Sequence, residues 1–440
     1  MNTSNEHAND VSRRRFVTAS TAAVGAAALV SPALASSAFA RGDDRIRVGL
    51  IGCGGRGSGA AQQALNADPG VVLVSMGDAF SDRLESSRTN LVKHAGERVN
   101  VPPDQRFVGF DAYQKVIDSD VDVVILATPP HFRPEHLEAA VKAGKHVFTE
   151  KPMAVDGPGV RKVLEASRQA KQQGTALMSG FCWRYNIPNR ECYARLHDGA
   201  IGDITTVHST YLAGPLGKRP RQEGWSDMEW QMRNWQHFNW LSGDHIVEQA
   251  VHAIDKINWA MNNRTPVRCY GVGGRLCREG LESGDIYDHH AVLYEYDNGA
   301  RAFHMCRQIP GCWGDNTEYI IGTKGNCFVN SWGPTQIIKG PDNQVSWQYK
   351  GPNPNMYQVE HDELFKAIRE GTPVNDGDFM AQSTLMGIMG RMATYTGESV
   401  TWDDALNSPE RLGPETYAFG DYPMPPVTKP DSAKIAKAGT

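Results

Sequence analysis

A glycine-rich turn follows the first apolar run of the chain. The run Val48–Ile51 leads into a G-x-G-x-x-G pattern, Gly52-Cys53-Gly54-Gly55-Arg56-Gly57. In such a turn the first glycine permits the bend, the second lets the backbone approach a pyrophosphate, and the third lets the next helix pack closely. The amides at the start of that helix face the anion. The spacing therefore predicts a phosphate-binding turn.

An acidic residue ends the second apolar run. Asp78 lies about 20 residues beyond the turn, where a carboxylate accepts hydrogen bonds from an adenosine ribose and repels a 2′-phosphate. The pattern therefore favours NAD as the cofactor, with NADP less favoured. Arg56 and Arg83 are nearby cations that act against this preference.

A second group of ionisable residues lies in a stretch that we predict to be one helix, Asp244–Met261. Glu248 and His252 are four residues apart and so lie on one face of such a helix. Hydride transfer from a carbinol needs a base for the hydroxyl proton, and histidine titrates near neutral pH. We predict that His252 is the general base and that Glu248 orients it. A structural His–Glu pair is the alternative.

The same stretch also matches a metal-binding pattern. His245 falls on the face that carries Glu248 and His252, and imidazole and carboxylate groups at this spacing can bind zinc. His289 and His290 could add ligands. From the residues alone, this interpretation stays open beside the acid–base one.

Aromatic and polar residues that suit a sugar are concentrated in two segments. Aromatic faces stack on sugar rings, and polar groups bind the hydroxyls at the rim. We predict substrate contacts from Trp183, Arg184, Tyr185, Trp235, His245 and His289. An irregular loop that buries its own tryptophans explains each aromatic residue equally well.

Strand and helix patterns alternate from residue 41 to residue 180. Apolar runs of strand length alternate with stretches of helical spacing, which is typical of βαβ units and a parallel sheet. The predicted strands are Ile46–Ile51, Val71–Met76, Val121–Ala127, His146–Thr149 and Ala176–Phe181. We therefore expect an α/β fold with an N-terminal doubly wound Rossmann domain.

The pattern changes after about residue 181. Tyr287–Tyr296, Ala300–Gln308 and Tyr319–Val329 alternate between turn signals, which indicates a large, mostly antiparallel open sheet. We predict an α+β domain over 181–407 and an extended arm over 408–440. Such a sheet is also the expected surface for a homodimer or homotetramer.

The first forty residues are typical of an export signal. Arg13-Arg14-Arg15-Phe16 precedes the apolar run Val17–Val30 and the cleavage-site pattern Ala38-Phe39-Ala40, which together resemble a twin-arginine signal. The apolar run is too short and too rich in alanine to span a bilayer, which takes about 20 residues. We expect a periplasmic protein without stable membrane insertion.

Composition limits the classes of partner. The chain of 440 residues has 45 Lys and Arg against 50 Asp and Glu, so it lacks the basic excess of a nucleic-acid-binding protein. No C-x-x-C pair occurs among the eight cysteines. Cys306/Cys312 and Cys269/Cys277 are the nearer pairs for a disulfide, but spacing does not fix a pairing.

Three further motifs carry a resemblance to a known family. They are Ala127-Thr128-Pro129-Pro130-x-x-x-Pro134-x-His136, Ala143-Gly144-Lys145-His146-Val147 and Glu150-Lys151-Pro152. With the glycine turn, they resemble the glucose–fructose oxidoreductase/inositol dehydrogenase family (Gfo/Idh/MocA). That family is NAD(P)-dependent, acts mostly on sugars and polyols, and needs no metal for its core reaction.

The resemblance implies roles for residues of this chain. Lys151 would lie between the nicotinamide and the substrate hydroxyl, and His252 matches the family histidine. Glu248 stands where the family usually has aspartate, which leaves open which of the two residues accepts the proton. The cofactor contacts implied are Ala127, Thr128, Pro129, His131, Glu150 and Lys151.

These observations together predict an exported oxidoreductase that acts on a hydroxyl of a sugar or glycoside and holds its nicotinamide cofactor tightly. The chain also has some similarity to the NAD-dependent α-N-acetylgalactosaminidases, which cleave glycosides by transient oxidation at carbon 3. Leu241-Ser242-Gly243-Asp244-His245 departs from the motif of that branch, so a glycosidase is the alternative. A binding protein without activity is a third interpretation.

Overall fold

The computed structural model describes residues 44–333 and 335–436. The predicted export signal, residues 1–40, lies outside this range. Residues 45–436 form one compact unit. Within the described part of the chain, no helix is both long and apolar enough to cross a membrane.

The first sheet is parallel throughout. Its six strands have the order β3-β2-β1-β4-β5-β6. They are β1 Ile46–Ile51, β2 Val71–Asp78, β3 Arg106–Val108, β4 Val123–Leu126, β5 His146–Thr149 and β6 Leu177–Ser179. The predicted doubly wound domain is confirmed, and β3 is the one strand of this sheet that the periodicity missed, because its three residues are partly or fully exposed and form no apolar run.

Helices cover both faces of this sheet. The helices of this part of the chain are α1 Gly55–Ala67, α2 Ser81–Ala95, α3 Ala112–Asp118, α4 Arg133–Lys142 and α5 Gly157–Gln173. Every strand of this sheet except the short edge strand β3 is buried along most of its length, as a parallel sheet requires when helices pack on both sides. The carboxyl ends of β1, β2, β4 and β5 therefore meet at one edge, where a cleft can form.

The second sheet is mixed. Its nine strands have the order β14-β13-β12-β11-β7-β10-β9-β8-β15, and only β7 and β10 pair in parallel. The strands are β7 Ile204–Ala213, β8 Arg268–Gly274, β9 His289–Glu295, β10 Arg301–Gln308, β11 Thr317–Gly322, β12 Gly325–Asn330, β13 Thr335–Lys339, β14 Val345–Gln348 and β15 Val400–Thr401. The prediction of a large, mostly antiparallel sheet is confirmed.

The remaining helices lie in the C-terminal half. They are α6 Ile187–His197, α7 Asp227–Arg233, α8 Asn239–Ser242, α9 His245–Glu248, α10 Val251–Ala260, α11 Met356–Glu370, α12 Gly377–Thr396 and α13 Trp402–Asn407. Helices α10 and α12 pack under the second sheet. Nearly every residue of α12 is buried, so it has no polar face and no amphipathic pattern to predict it.

The prediction of one helix over Asp244–Met261 is wrong. The segment is two helices, α9 and α10, with a break at Gln249–Ala250. The backbone amides of both Gln249 and Ala250 donate to the carbonyl of His245, which closes α9 after one turn. Glu248 and His252 therefore do not share one helix face.

All eight cysteines are free thiols in the structure. Neither Cys306/Cys312 nor Cys269/Cys277 forms a disulfide, because Cys269 and Cys306 are buried while Cys277 and Cys312 are exposed. The Sγ atoms of Cys192 and Cys327 approach to 3.3 Å, although 135 residues separate them.

Candidate active site

A cavity of about 390 Å³ opens at the carboxyl edge of the parallel sheet. One wall is the glycine turn and the ends of β2, β4 and β5, and the other is the segment 217–237 together with Glu248 of α9. The cavity thus lies where an open α/β sheet binds its ligand. Of the residues predicted from sequence, it is lined by Gly52, Gly54, Gly55, Arg56, Asp78, Ala127, Thr128, Pro129, Glu150, Lys151, Trp235 and Glu248.

The glycines of the turn divide into two kinds. Gly52 has φ +93°, and a Cβ there would lie 2.6 Å from the backbone of Ala127, while a Cβ on Gly57 would collide with the carbonyl oxygen of Gly52. At Gly54 and Gly55, by contrast, a Cβ would meet no atom within 4 Å. The outer glycines therefore serve packing, and the inner two leave open space in front of α1. No side chain caps α1, which leaves its first amides to a ligand.

Asp78, at the end of β2, binds the glycine-rich turn through its carboxylate. Its Oδ2 accepts a hydrogen bond from the amide of Cys53 at 2.6 Å, and its Oδ1 accepts one from the amide of Phe80 at 2.9 Å. Burial raises the pKa of Asp78, against the effect of these two amides. The carboxylate is fixed in orientation and lines the cavity, which suits recognition of a ribose diol.

Arg56 lines the cavity and is held in position by a carboxylate. Its Nε donates to Glu150 Oε1 at 2.6 Å, and its Nη2 lies 3.7 Å from Glu360 Oε1. Burial alone would lower the pKa of Arg56, but the two glutamates outweigh it and raise the pKa. The cation is therefore held in place beside the phosphate-binding turn.

Lys151 and Glu248 meet on the cavity wall. Lys151 follows β5, and its Nζ donates to the backbone carbonyl of Glu248 and lies 3.5 Å from Glu248 Oε1. Both side chains are mostly buried, with 13% and 11% of their surface exposed. The N-terminal domain thus supplies Lys151 and the C-terminal domain supplies Glu248 to the same place on the cavity wall.

His252 lies behind this wall and does not line the cavity. Among the described residues, its Nδ1 has no hydrogen-bond partner. Burial lowers its pKa well below the usual value, and Lys151 and Lys256 lower it further. The predicted partner of His252, Glu248, bonds Lys151 instead, because the break after α9 separates the two side chains.

The aromatic–arginine cluster predicted to bind substrate is part of the protein interior. Arg184 forms a bidentate pair with Asp255, with its Nε 2.9 Å from Oδ2 and its Nη2 2.8 Å from Oδ1. The hydroxyl of Tyr185 donates to Asp376 at 2.7 Å, and the Trp183 ring packs edge-on against another tryptophan. None of the three lines the cavity.

The two predicted histidine contacts also lie outside the cavity. His245 is buried with 2% exposure. His289 is partly exposed at the start of β9, where its Nδ1 lies 2.7 Å from Asp288 Oδ1. His245, Glu248 and His252 do not form a metal-binding group within the described ranges.

Three predicted cofactor residues are turned away from the cavity. Gly57 packs against Gly52. The thiol of Cys53 donates to the carbonyl of Gly77 at 3.4 Å. The Nε2 of His131 lies 2.7 Å from the hydroxyl of Tyr417, and burial lowers the pKa of this histidine to about 3.

Several cavity residues were missed from sequence. They include Phe80, Phe110, Arg133, Arg219 and Asn234. These residues belong to no sequence motif, because they come from loops that are far apart in the sequence. Trp235 lies in the same segment as Arg219 and Asn234, and its aromatic side chain was the signal by which it was predicted.

The C-terminal arm also reaches this region. Over residues 408–436 it contains no helix or strand. The Phe419 ring lies 4.8 Å from that of Phe110 and 5.6 Å from that of Phe80, and Tyr417 stacks on Phe110 at 5.8 Å. The arm thus supports the two aromatic rings that line the cavity beyond Asp78.

Comparison with known proteins agrees with this architecture. A family profile described as "Oxidoreductase family, NAD-binding Rossmann fold" matches residues 46–181. A second, "GFO/IDH/MocA C-terminal domain", matches residues 189–327. Fold and profiles define an oxidoreductase with an NAD-binding Rossmann domain followed by a C-terminal domain built on a second sheet. The two profiles together cover most of the chain, which belongs to the Gfo/Idh/MocA family of oxidoreductases.

Individual relatives match this chain at low sequence identity. Scyllo-inositol 2-dehydrogenase (NAD(+)) of Bacillus subtilis is 22% identical over 76% of this chain and 89% of its own length. A glycosyl hydrolase family 109 protein of Streptomyces coelicolor is 30% identical over 38% of this chain and 34% of its own. The chain spans about half of the length of some curated relatives that it matches.

Among solved structures, levoglucosan dehydrogenase in complex with NADH and levoglucosan has the same fold. Its TM-score is 0.65 at 22% identity, over 81% of this chain and 99% of that one.

Proposed function

We propose that this protein transfers hydride between a nicotinamide cofactor, NAD rather than NADP, and a carbon that bears a hydroxyl group in a sugar or glycoside. The observation that carries the proposal is the meeting of Lys151 and Glu248 in the cavity that also contains the glycine turn and Asp78. Levoglucosan and inositol in the names of similar proteins support a polyhydroxylated substrate.

The residues fit a dinucleotide. Gly54 and Gly55 leave open space before the uncapped start of α1, where a pyrophosphate can approach the backbone. Asp78 presents a fixed carboxylate at the position that selects a ribose diol. When bound, the nicotinamide supplies the hydride acceptor of the reaction.

The protein's own residues then handle the proton. Lys151 donates a hydrogen bond to the substrate oxygen, while Glu248 holds the ammonium group in place. As the carbinol carbon gives up hydride, Lys151 gives one of its protons to His252 and takes the hydroxyl proton in its place, so that it remains an ammonium. The lowered pKa of His252 keeps its ring neutral before this step, and the same shift makes the protonated ring a stronger acid that readily gives the proton up again.

Export and cofactor retention belong to the same proposal. A protein exported by a twin-arginine signal has no large pool of free cofactor, so a second carbonyl substrate must take back the hydride and a proton. The aromatic contacts between the C-terminal arm and Phe80 and Phe110 support tight retention. Gel filtration in dilute buffer should leave cofactor on the protein, and complete loss would contradict this part of the proposal.

A homo-oligomer through the second sheet is proposed as well. Its outer face carries exposed Val272, Met305 and Tyr319 on β8, β10 and β11. Exposed apolar residues on one face favour burial against a second copy of the chain. Light scattering on the purified protein tests this, and a monomeric mass would refute it.

A glycosidase that uses NAD transiently is the second candidate. The similarity to the family 109 protein favours it, although that match covers 34% of the other protein. In that reaction, oxidation at carbon 3 acidifies the proton at carbon 2, the aglycone is eliminated, water adds, and the ketone is reduced again.

One experiment distinguishes the two candidates. The purified protein is incubated in heavy water with methyl and aryl glycosides, and the products are analysed by mass spectrometry. A product about two mass units lighter with its glycosidic bond intact supports the oxidoreductase, because oxidation removes a hydride and a proton. Free aglycone, with one deuterium on an unoxidised sugar, supports the glycosidase and refutes the first proposal.

A further inference from the structure

A buried cluster of metal-ligating side chains lies under the second sheet, away from the cavity. Asp244 precedes α9, His245 begins it, and His290 is on β9. One potential ligand atom from each lies within 4.8 Å of the other two. The three residues, called here the Asp–His–His cluster, have exposures of 0%, 2% and 2%.

The hydrogen bonds of His290 fix which ring nitrogen carries its proton. Its Nδ1 lies 2.9 Å from Thr394 Oγ1. The Thr394 hydroxyl itself donates to the carbonyl of Gly390 at 3.0 Å or of Arg391 at 3.1 Å, so its oxygen must accept from Nδ1–H of His290. The neutral ring therefore has its lone pair on Nε2.

That lone pair faces a carboxylate. His290 Nε2 lies 3.4 Å from Asp244 Oδ1, and among the described residues it has no hydrogen-bond partner. Two lone pairs directed at one another repel unless a cation lies between them. A proton is a poor fit, since a charge-assisted N–H···O bond is about 2.7–2.9 Å long. Two ligands of a tetrahedral metal with bonds of ~2.0–2.1 Å lie about 3.3 Å apart.

His245 adds a second buried imidazole with an unused nitrogen. Its Nε2 has no partner in the described part of the chain, and the two histidine rings are 4.8 Å apart between centroids. Orphaned buried polar atoms of this kind call for an unseen ion or water.

Asp244 is held as a metal-ligating carboxylate would be. Its Oδ2 accepts hydrogen bonds from the amide of Tyr287 at 2.8 Å and the hydroxyl of Tyr395 at 2.6 Å. Such outer hydrogen bonds orient ligands, as the Thr394 bond does for His290.

We propose that Asp244, His245 and His290 bind one divalent first-row transition metal ion, with Zn²⁺ as the expected occupant. Two imidazoles and one carboxylate form a ligand set that suits these ions, and a water completes the coordination. The ion would link β9 to the start of α9, which carries Glu248 to the cavity wall. Its role is structural, and it does not depend on the proposed hydride transfer.

An entry path is present beside the cluster. Tyr395, which donates to Asp244, also lines a second cavity of about 320 Å³ between α12 and the C-terminal arm. Movement of this one side chain would open Asp244 to solvent. The ion could therefore be loaded or removed from the folded protein.

Metal content of the full chain, produced without a histidine tag, tests the proposal. The protein is incubated with excess Zn²⁺ or Co²⁺, desalted, and analysed by inductively coupled plasma mass spectrometry. We expect about one ion per chain and, with Co²⁺, the intense visible absorption of a low-coordinate ion with nitrogen ligands. A wild-type protein that retains almost no metal after this treatment overturns the proposal, whatever the variants do.

The matched variants are His290→Gln and His289→Gln, which remove neighbouring imidazoles on one strand. His290→Gln should lose the bound ion and the Co²⁺ absorption, whereas His289→Gln should keep both, because His289 bonds Asp288 outside the cluster. Equal metal content in the two folded variants would place the ion elsewhere and overturn the assignment. If His290→Gln does not fold, the visible spectrum of the wild-type Co²⁺ protein decides alone.

Discussion

Replacement of Lys151 by methionine tests the proposed chemistry most directly. The substitution keeps the length of the side chain but removes the ammonium that contacts Glu248 on the cavity wall. Positioned proton transfer contributes about 10²–10⁴-fold to a rate, or about 3–5 kcal/mol at ~1.4 kcal/mol for each factor of ten. We therefore expect kcat/KM to fall by this factor. Binding of NADH, measured by fluorescence, should change by less than about tenfold, because the glycine turn and Asp78 supply most of its contacts.

The pH profile of the same variant adds an independent readout. Lys151 is the second cause, after burial, of the lowered pKa of His252. Without the cation the protonated imidazole is less disfavoured, so the pKa of His252 rises in Lys151→Met. An NMR titration should then show the His252 ring taking up its proton at higher pH than in the wild type. Lys162→Met, which removes a surface ion pair with Glu135 and Glu138, is the matched control and should leave rate and profile unchanged.

Two results would refute this reasoning. Activity of Lys151→Met within about threefold of wild type, which is below ~1 kcal/mol, would show that the ammonium does not contact the reacting oxygen. A His252 titration that stays in place in the variant would show that the charge of Lys151 does not act on this ring.

Three further predictions follow from individual positions. Gly54→Ala should unfold at the wild-type temperature but lose affinity for NADH. Gly57→Ala should lower the unfolding temperature, because only the Cβ at position 57 collides with backbone atoms. Equal unfolding temperatures of the two variants in calorimetry would contradict this. Asp78→Ala should raise kcat/KM with NADP⁺ relative to NAD⁺ by about tenfold or more, and an unchanged ratio of initial rates would exclude Asp78 as the selecting group. Burial raises the pKa of Glu318 to about 7, against the effect of Lys256. The contribution of this carboxyl group to stability is therefore lost as the pH rises from about 4.3, the usual pKa of glutamate, through 7. In urea unfolding, the stability of Glu318→Gln should increase relative to wild type between about pH 5 and about pH 8, and a constant or falling difference would contradict this sign.

The cofactor half of the site was predictable from sequence because it depends on local backbone geometry. Gly52 to Gly57 and Asp78 lie at the ends of two adjacent parallel strands, so the strand–turn–helix pattern alone brings them together. Even so, Cys53 and Gly57 were placed in the cofactor site because they belong to the pattern. Their actual contacts are with Gly77 and Gly52, which a spacing rule does not distinguish from ligand contacts.

The substrate half was less predictable, because its residues come from separate loops and from both domains. Trp183, Arg184 and Tyr185 looked like a sugar site because their types suit one. In the fold, Arg184 meets Asp255 and Tyr185 meets Asp376, partners that are 71 and 191 residues away. A buried ion pair and a ligand contact use the same residue types, and only tertiary structure separates them.

The helix break after α9 decides which charges act together. A continuous helix would place Glu248 and His252 on one face. Because Gln249 and Ala250 both donate to the carbonyl of His245, α9 ends after one turn and Glu248 reaches Lys151 across the domain boundary. His252 belongs to the segment that follows and lies behind the cavity wall, where the charge of Lys151 contributes to its lowered pKa. One backbone irregularity thus converts a predicted Glu–His pair into a carboxylate–ammonium–imidazole arrangement. For that reason the proposed proton path depends on how the two sheets are joined, and mutations that restore a regular helix at Gln249–Ala250 should impair catalysis without touching any charged residue.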